Sequence, residues 1–267
     1  MSATVKQPSL YIPHGGGPCF FMDWTPLDAW TEMGAYLSGA SESLPVQPDA
    51  LIVISAHWES DPIAITAAVR PGLIYDYYGF PDHTYELDWP AAGNPALAAI
   101  ALELLEGASI KAQLDNERGF DHGVFVPLKL MFPNAQVPTI QVSLHPSLDP
   151  ALHLAIGKAL SPLRSNNVLI IGSGMSFHDV DALMGRKSTK ESSAFDKWLN
   201  NTIREIQSER DGLLVEWLQA PAARRCHPRE EHLLPLHVVA GAAGKDPGTN
   251  DFRGDVLGAS VSAFRFG

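Results

Sequence analysis

Five short apolar, β-branched runs set the frame of this chain: LYIPH (10–14), ALIVISAH (50–57), PIAITAAV (62–69), VPTIQVSL (137–144) and NVLIIGSG (167–174). Each has the length of a buried strand and is bounded by Gly, Pro, His or Ser. Between them apolar residues recur at helical spacing in PLDAWTEMGAYLSG (26–39), NPALAAIALELLEG (94–107), LDPALHLAIGKALSPL (148–163) and KESSAFDKWLNNTIREIQSE (190–209). Asn94 followed by Pro95 reads as an N-cap with proline at the first helical position, and Gly107 as the stop. Strands alternating with helices predict an α/β fold in which helices flank a central, largely parallel or mixed sheet. No repeat or low-complexity linker interrupts the pattern, so residues 1–267 are read as a single domain. The stretch from Pro71 to Pro95, PGLIYDYYGFPDHTYELDWPAAGNP, departs from both periodicities and is rich in Gly, Pro and aromatics. A loop of that length in a compact domain is usually functional, so it is expected to form a lid or a pocket wall.

Charge narrows the function. Nineteen basic against thirty acidic residues give a net charge of −11, which repels nucleic acid and anionic membrane surfaces alike. The first residues, MSATVKQPSL, lack a basic segment followed by an apolar one, and no later run is long enough to span a bilayer. A soluble cytoplasmic protein, monomeric or homo-oligomeric, is the expectation. Cys19 and Cys226 are too few for a disulfide scaffold and form no CxxC pair, so both are read as free thiols.

The ten histidines carry the chemistry. His14 closes LYIPH, His57 closes ALIVISAH, and His178 follows NVLIIGSG in GSGMSFH. In an open α/β sheet, ligands bind outside the carboxyl ends of the strands, where these three side chains could converge. His122 in GFDHGVFVP and His232 in HPREEHLLPLH sit next to an acidic residue and open helix-like runs. Imidazole is the commonest ligand for iron and zinc, and His14 and His57 each close an apolar strand beside turn or aromatic residues, Gly15 to Gly17 and Trp58, so metal ligation is the better reading for these two. A hydrogen-bonded structural histidine is the better reading for His83, His145, His153, His227 and His237. The three glycines after His14 suit a tight turn or a close backbone approach; they are no phosphate loop, since the lysine and Ser/Thr of that motif are missing. No G-x-S-x-G elbow, HExxH or helix-opening GxGxxG is present, and no carboxylate pair stands out for glycoside hydrolysis. Cys19 has no identifiable base.

Taken together, PHGGGP, SAHW, GFDHG, GSGMSFHD and HPREEHLLPLH, with the intervening GFPDHTYELDWPAAGNP, resemble the class III extradiol ring-cleavage dioxygenases, in their single-chain 4,5-DOPA dioxygenase-like branch. The resemblance covers nearly the whole chain. It implies a metal held by His14, His57 and His232, with His178 as an active-site acid/base and His122 lining the same pocket. More distant two-subunit relatives use a glutamate as third ligand, and Glu231 adjoins His232; His178 is a further candidate ligand. The implied cofactor is iron(II), with zinc possible in the same site, and the implied substrates are a substituted catechol and dioxygen. The implied product is of the muconic semialdehyde type. The first motif is HGGGP where the DOPA-type enzymes have HGSP, which leaves the catechol open. The alternatives are a zinc hydrolase using the same histidines to activate water and a non-catalytic metal-binding module.

Overall fold

The computed structural model describes residues 5–185 and 189–267. Strands β1 (Ser9–Pro13), β2 (Ala50–Glu59), β3 (Ile63–Thr66), β4 (Ala112–Asp115), β5 (Thr139–Leu144), β6 (Val168–Gly174), β7 (Gly248–Val256) and β8 (Ala259–Phe266) form one mixed sheet in the order β4-β3-β5-β2-β6-β1-β8-β7. Helices α1 (Thr31–Ala40), α2 (Pro95–Gly107), α3 (His122–Met131), α4 (Pro150–Leu160), α5 (Val180–Gly185), α6 (Thr189–Arg204), α7 (Gln207–Val215), α8 (Ala223–Cys226) and α9 (Leu234–Ala243) cover it.

Strand periodicity explains why the apolar runs are continuous. Leu51 and Val53 of β2, with Leu169 and Ile171 of β6, face one core cluster; Ala50, Ile52, Ile54, Val168 and Ile170 face a second on the opposite side. Successive side chains of a strand point to opposite faces, so a sheet covered on both sides needs apolar residues at every position. Each fully buried Leu or Ile contributes roughly 1.5–3 kcal/mol. The neighbouring strands β5, β2, β6 and β1 run parallel and therefore end on the same side of the molecule. The chain enters α2 through Asn94, whose side chain accepts from Leu97 N at 3.0 Å. All ten residues of α9 are buried, which is why LPLHVVAGAA has no polar face.

Three strands lie outside the expected set. β4 is a short, half-exposed strand at one edge of the sheet. At the other end β7 and β8 form an antiparallel hairpin beside β1, turning through Leu257 (φ 53°) and Gly258 (φ 88°). Two left-handed residues in succession match a tight hairpin turn, but Leu-Gly lacks the Asn-Gly or Asp-Gly signature that would flag it. α1 starts at Thr31 instead of Pro26, and the helix expected over 190–209 is broken at Ile206, whose backbone is extended. The break lets Arg210 turn inward, where its guanidinium donates to the carbonyls of Ala240 (2.8 Å) and Gly244 (3.0 Å) at the end of α9. Among the described residues no helix is long and apolar enough to cross a membrane.

Candidate metal centre

The parallel strands deliver His14 and His57 to one end of the sheet, and His232 joins them from just before α9. His14 follows β1 and continues its ladder, its backbone N donating to Gly174 O of β6 at 3.1 Å. His57 lies near the end of β2, two residues before its last. His232 precedes α9 and is pinned by its own carbonyl, which accepts from Tyr11 Oη of β1 (2.8 Å) and from Met175 N just past β6 (3.1 Å). The ligand nitrogens of His14, His57 and His232 all lie within 4.8 Å of one another. His122, at the first turn of α3, sets its ring 4.0 Å from that of His57, and the His178 ring stacks 3.3 Å from that of His232 at 12°. Five of the ten histidines, from five separate segments, are thus brought into one cluster.

Hydrogen bonds determine which nitrogen His14 and His232 present. Ser173 spends its only proton on Gly123 O, so its oxygen must accept from His14 Nδ1–H at 3.0 Å, which leaves His14 Nε2 a bare lone pair. Glu231 Oε1 accepts from His232 Nδ1 at 2.9 Å; His232 Nε2 is buried and has no hydrogen-bond partner. His57 turns Nδ1 toward Asp76 Oδ2 at 3.8 Å and Nε2 toward His14 Nε2 at 3.2 Å. The lone pairs of His14 and His232 thus lie in the same buried space as His57 Nε2, an arrangement that a cation between the three rings would satisfy. Imidazole nitrogens about 2.0–2.1 Å from a shared ion stand roughly 3.0–3.4 Å apart, the spacing of the His14 and His57 Nε2 atoms, and with His232 Nε2 buried and unpartnered beside them the donor set fits a divalent metal. Carboxylate or hydroxyl partners on the far nitrogens are the usual way ligand imidazoles are oriented. Burial, reinforced by the neighbouring histidines, holds His14, His57 and His232 well below the usual imidazole range, so all three are neutral and ready to bind at pH 7.

Around this core lies a layer of carboxylates. Asp76 accepts from both His122 N (2.9 Å) and His122 Nδ1 (2.8 Å). Burial pushes its carboxyl up, but the bonds and charge of His122 and the charge of His57 outweigh that and leave it below the ordinary value. Glu231 lies between His232 and His178 (3.6 Å to His178 Nδ1), with Arg229 at 3.4 Å. Burial lowers His178 to about 4. Asp121 is fully buried and bound by Ser55 Oγ (2.7 Å), Gln141 Nε2 and Arg118 Nη2 (3.3 Å); burial, with Asp76 nearby, raises its carboxyl. The glycine after His122 has a steric reason: a Cβ on Gly123 would come within 3.0 Å of His57 Cδ2 and closer still to Ser55 Oγ.

The aromatic segment divides. Trp89, 1% exposed, is core, donating from Nε1 to Phe132 O at 2.9 Å; Tyr78, 92% exposed, points to solvent. Tyr77 is the ring that meets the site, edge-on to His122 at 5.8 Å and packed against Phe80, Tyr85 and Tyr75. Gly17, the third glycine after His14, has φ +56°, and a Cβ there would stand 2.9 Å from the Phe80 ring. The glycine turn therefore serves close approach of this segment.

The other histidines bond elsewhere. His83 pairs with Phe21 O (3.0 Å), His153 with Asp149 O (2.7 Å), His227 with Ser176 O (3.1 Å) and His237 with Leu214 O (2.9 Å), while His145 pairs with Ser147 Oγ (2.8 Å). Cys19 and Cys226 are free and buried, and burial raises both thiols, Cys226 to about 12, so neither is a nucleophile. Sequence reasoning missed Asp76 and Ser173. Asp76 lies in the loop singled out as a pocket wall and Ser173 inside GSG, but only the fold pairs them with histidines.

Comparison with known proteins adds an independent line. Residues 26–263 match the family described as the catalytic LigB subunit of aromatic ring-opening dioxygenase. The chain is 36% identical to the 4,5-DOPA dioxygenase extradiol of Portulaca grandiflora, over 89% of this chain and 86% of that protein. It is 34% identical to the dioxygenase tasH of Hapsidospora irregularis, over 97% and 85%, and 31% identical to the 4,5-DOPA dioxygenase extradiol of Escherichia coli strain K12, over 97% and 93%. A crystal structure of an uncharacterized protein from Escherichia coli K12 superposes with a TM-score of 0.80 at 28% identity, covering 98% of this chain and 100% of that one.

Proposed function

The chain belongs to the LigB family of aromatic ring-opening dioxygenases, and on that premise we propose that it is an iron(II)-dependent extradiol dioxygenase cleaving a substituted catechol to a muconic semialdehyde-type product. The observation that carries the reading is the gathering of His14, His57 and His232 with their ligand nitrogens within 4.8 Å of one another, the Nε2 atoms of His14 and His232 being freed by partners on Nδ1. Three neutral nitrogens leave open positions for a bidentate diol and for dioxygen. When bound, the metal supplies a template that holds the two substrates side by side and conducts electrons between them.

The protein's own residues manage the protons. A catechol bound as an anion must lose hydroxyl protons, and one must return to oxygen as the O–O bond breaks. His122 suits removal, because the Asp76 carboxylate at 2.8 Å stabilises the imidazolium that forms. His178, lowered to about 4 by burial, enters neutral at pH 7; having accepted a proton, it is a stronger acid than an exposed imidazole and suits delivery. Tyr77 and Phe80 wall the approach, and Gly17 lets them come close. The DOPA named for several relatives is one member of the substrate class; the HGGGP turn against the aromatic segment is where this chain's side-chain preference is set.

The test is oxygen uptake by anaerobically iron-loaded protein across a catechol panel, with the ring-opened product followed by its yellow absorbance. No uptake with metal demonstrably bound would falsify the proposal. Hydrolytic activity with zinc and none with iron would replace it by the zinc hydrolase.

A further inference from the structure

The segment 72–76 runs alongside 118–122. Phe120 N donates to Gly72 O and Ile74 N to Phe120 O, both at 2.8 Å, with a parallel bridge between Leu73 and Phe120. This register brings Asp76 to the first turn of α3. That turn has no cap from its own N-cap residue: Asp121 occupies the position but makes no capping bond, its carboxylate being taken by Ser55, Gln141 and Arg118. One oxygen of Asp76, Oδ1, replaces it, accepting at once from the backbone N–H of His122 and from His122 Nδ1.

Resting on the dioxygenase reading above, we propose that Asp76 is a positioning residue that fixes His122 in the Nδ1–H tautomer, so that Nε2 is the nitrogen offered to the substrate hydroxyl. The backbone N–H can only donate and the Asp76 carboxylate can only accept, so the oxygen that takes the backbone proton also takes one from Nδ1. With Nδ1 engaged, Nε2 is the ring nitrogen left to act as a base. The other oxygen of Asp76 lies 3.8 Å from His57 Nδ1, beyond hydrogen-bond reach, so the short bonds of this carboxylate both go to His122. A carboxylate that orients a catalytic imidazole in this way is worth orders of magnitude in turnover.

The experiment uses zinc-loaded protein, in which ring 15N shifts report the tautomer of each histidine without any turnover. Wild-type His122 is expected to carry its proton on Nδ1. Asp76→Asn is expected to keep that pattern, because the backbone N–H of His122 holds the amide oxygen toward the ring. Asp76→Ala should lose it, with zinc stoichiometry unchanged in both variants. With iron-loaded protein and a catechol, Asp76→Ala should lower kcat about 100-fold or more while KM changes less than about threefold. A proton on Nε2 in the wild type overturns the proposal without recourse to any variant, as does an unaltered Nδ1–H signature in Asp76→Ala. The zinc spectra stand even if no catechol is consumed, so failure of the dioxygenase reading is seen separately.

Discussion

At the scale of single residues, the cluster separates histidines by what their second nitrogen touches. His14 and His232 give Nδ1 to a hydroxyl and a carboxylate and keep Nε2 free for the proposed metal, His57 brings Nε2 to 3.2 Å from that of His14, and His178 stacks on His232 without a short hydrogen bond from its ring. His57→Ala and His232→Ala should therefore lose metal and activity together. His178→Ala should retain metal while turnover falls about 100-fold or more. Metal analysis after gel filtration, beside oxygen uptake, checks the split; equal metal loss in all three would make His178 a ligand. The five clustered histidines were legible in the sequence because strand ends and short motifs mark them. Asp76, Ser173 and Gln141 were not, since each acts on a residue at least 20 positions away and has an ordinary polar side chain.

At the scale of elements, strands buried on both faces announce themselves by continuous apolar runs, and β1, β2, β5 and β6 appear within a residue or two of the runs that predict them. Elements without such a run escape: β4 is short and half exposed, and β7, TNDFRGDV after Gly248, carries polar residues outward at the sheet edge. The lid is intermediate. Its composition marked it, but the partition into core (Trp89), site wall (Tyr77) and solvent (Tyr78) depends on which ring meets α3 and the glycine turn. That contact is testable. Gly17→Ala places a Cβ 2.9 Å from Phe80 on a backbone at φ +56°, a combination of strain and overpacking that should cost about 1–3 kcal/mol. Because Gly17 touches the wall and none of the nitrogens proposed to hold the metal, KM for the catechol should rise with metal content unchanged. A variant with wild-type KM would show that the turn does not shape the substrate approach.

At the scale of the whole molecule, burying histidines as neutral groups makes the fold acid-sensitive. His153 is held near 4 by burial, its Nε2 accepting from His145 N at 3.1 Å while Nδ1 pairs with Asp149 O. Burial also holds His227 near 3. The unfolded chain protonates these rings at an ordinary 6.5, whereas the native chain does so only near 4 and 3. Between those values the unfolded state binds more protons, so stability rises with pH; in the other direction it begins to fall below about 6.5 and is lost progressively toward the folded values. For His153 alone the full shift corresponds to on the order of 3 kcal/mol. Asp121 and Glu231, raised by burial, act with the opposite sign, but only near the carboxylate range. Urea midpoints of metal-free protein should thus be similar at pH 8 and 7 and drop steadily between pH 6.5 and 5. His153→Gln, which keeps a side-chain amide in place of the titrating ring, should flatten part of that slope even if it lowers the midpoint throughout. A midpoint that stays level from pH 7 to 5 would mean that these buried rings take up protons in the native state as readily as in the unfolded one.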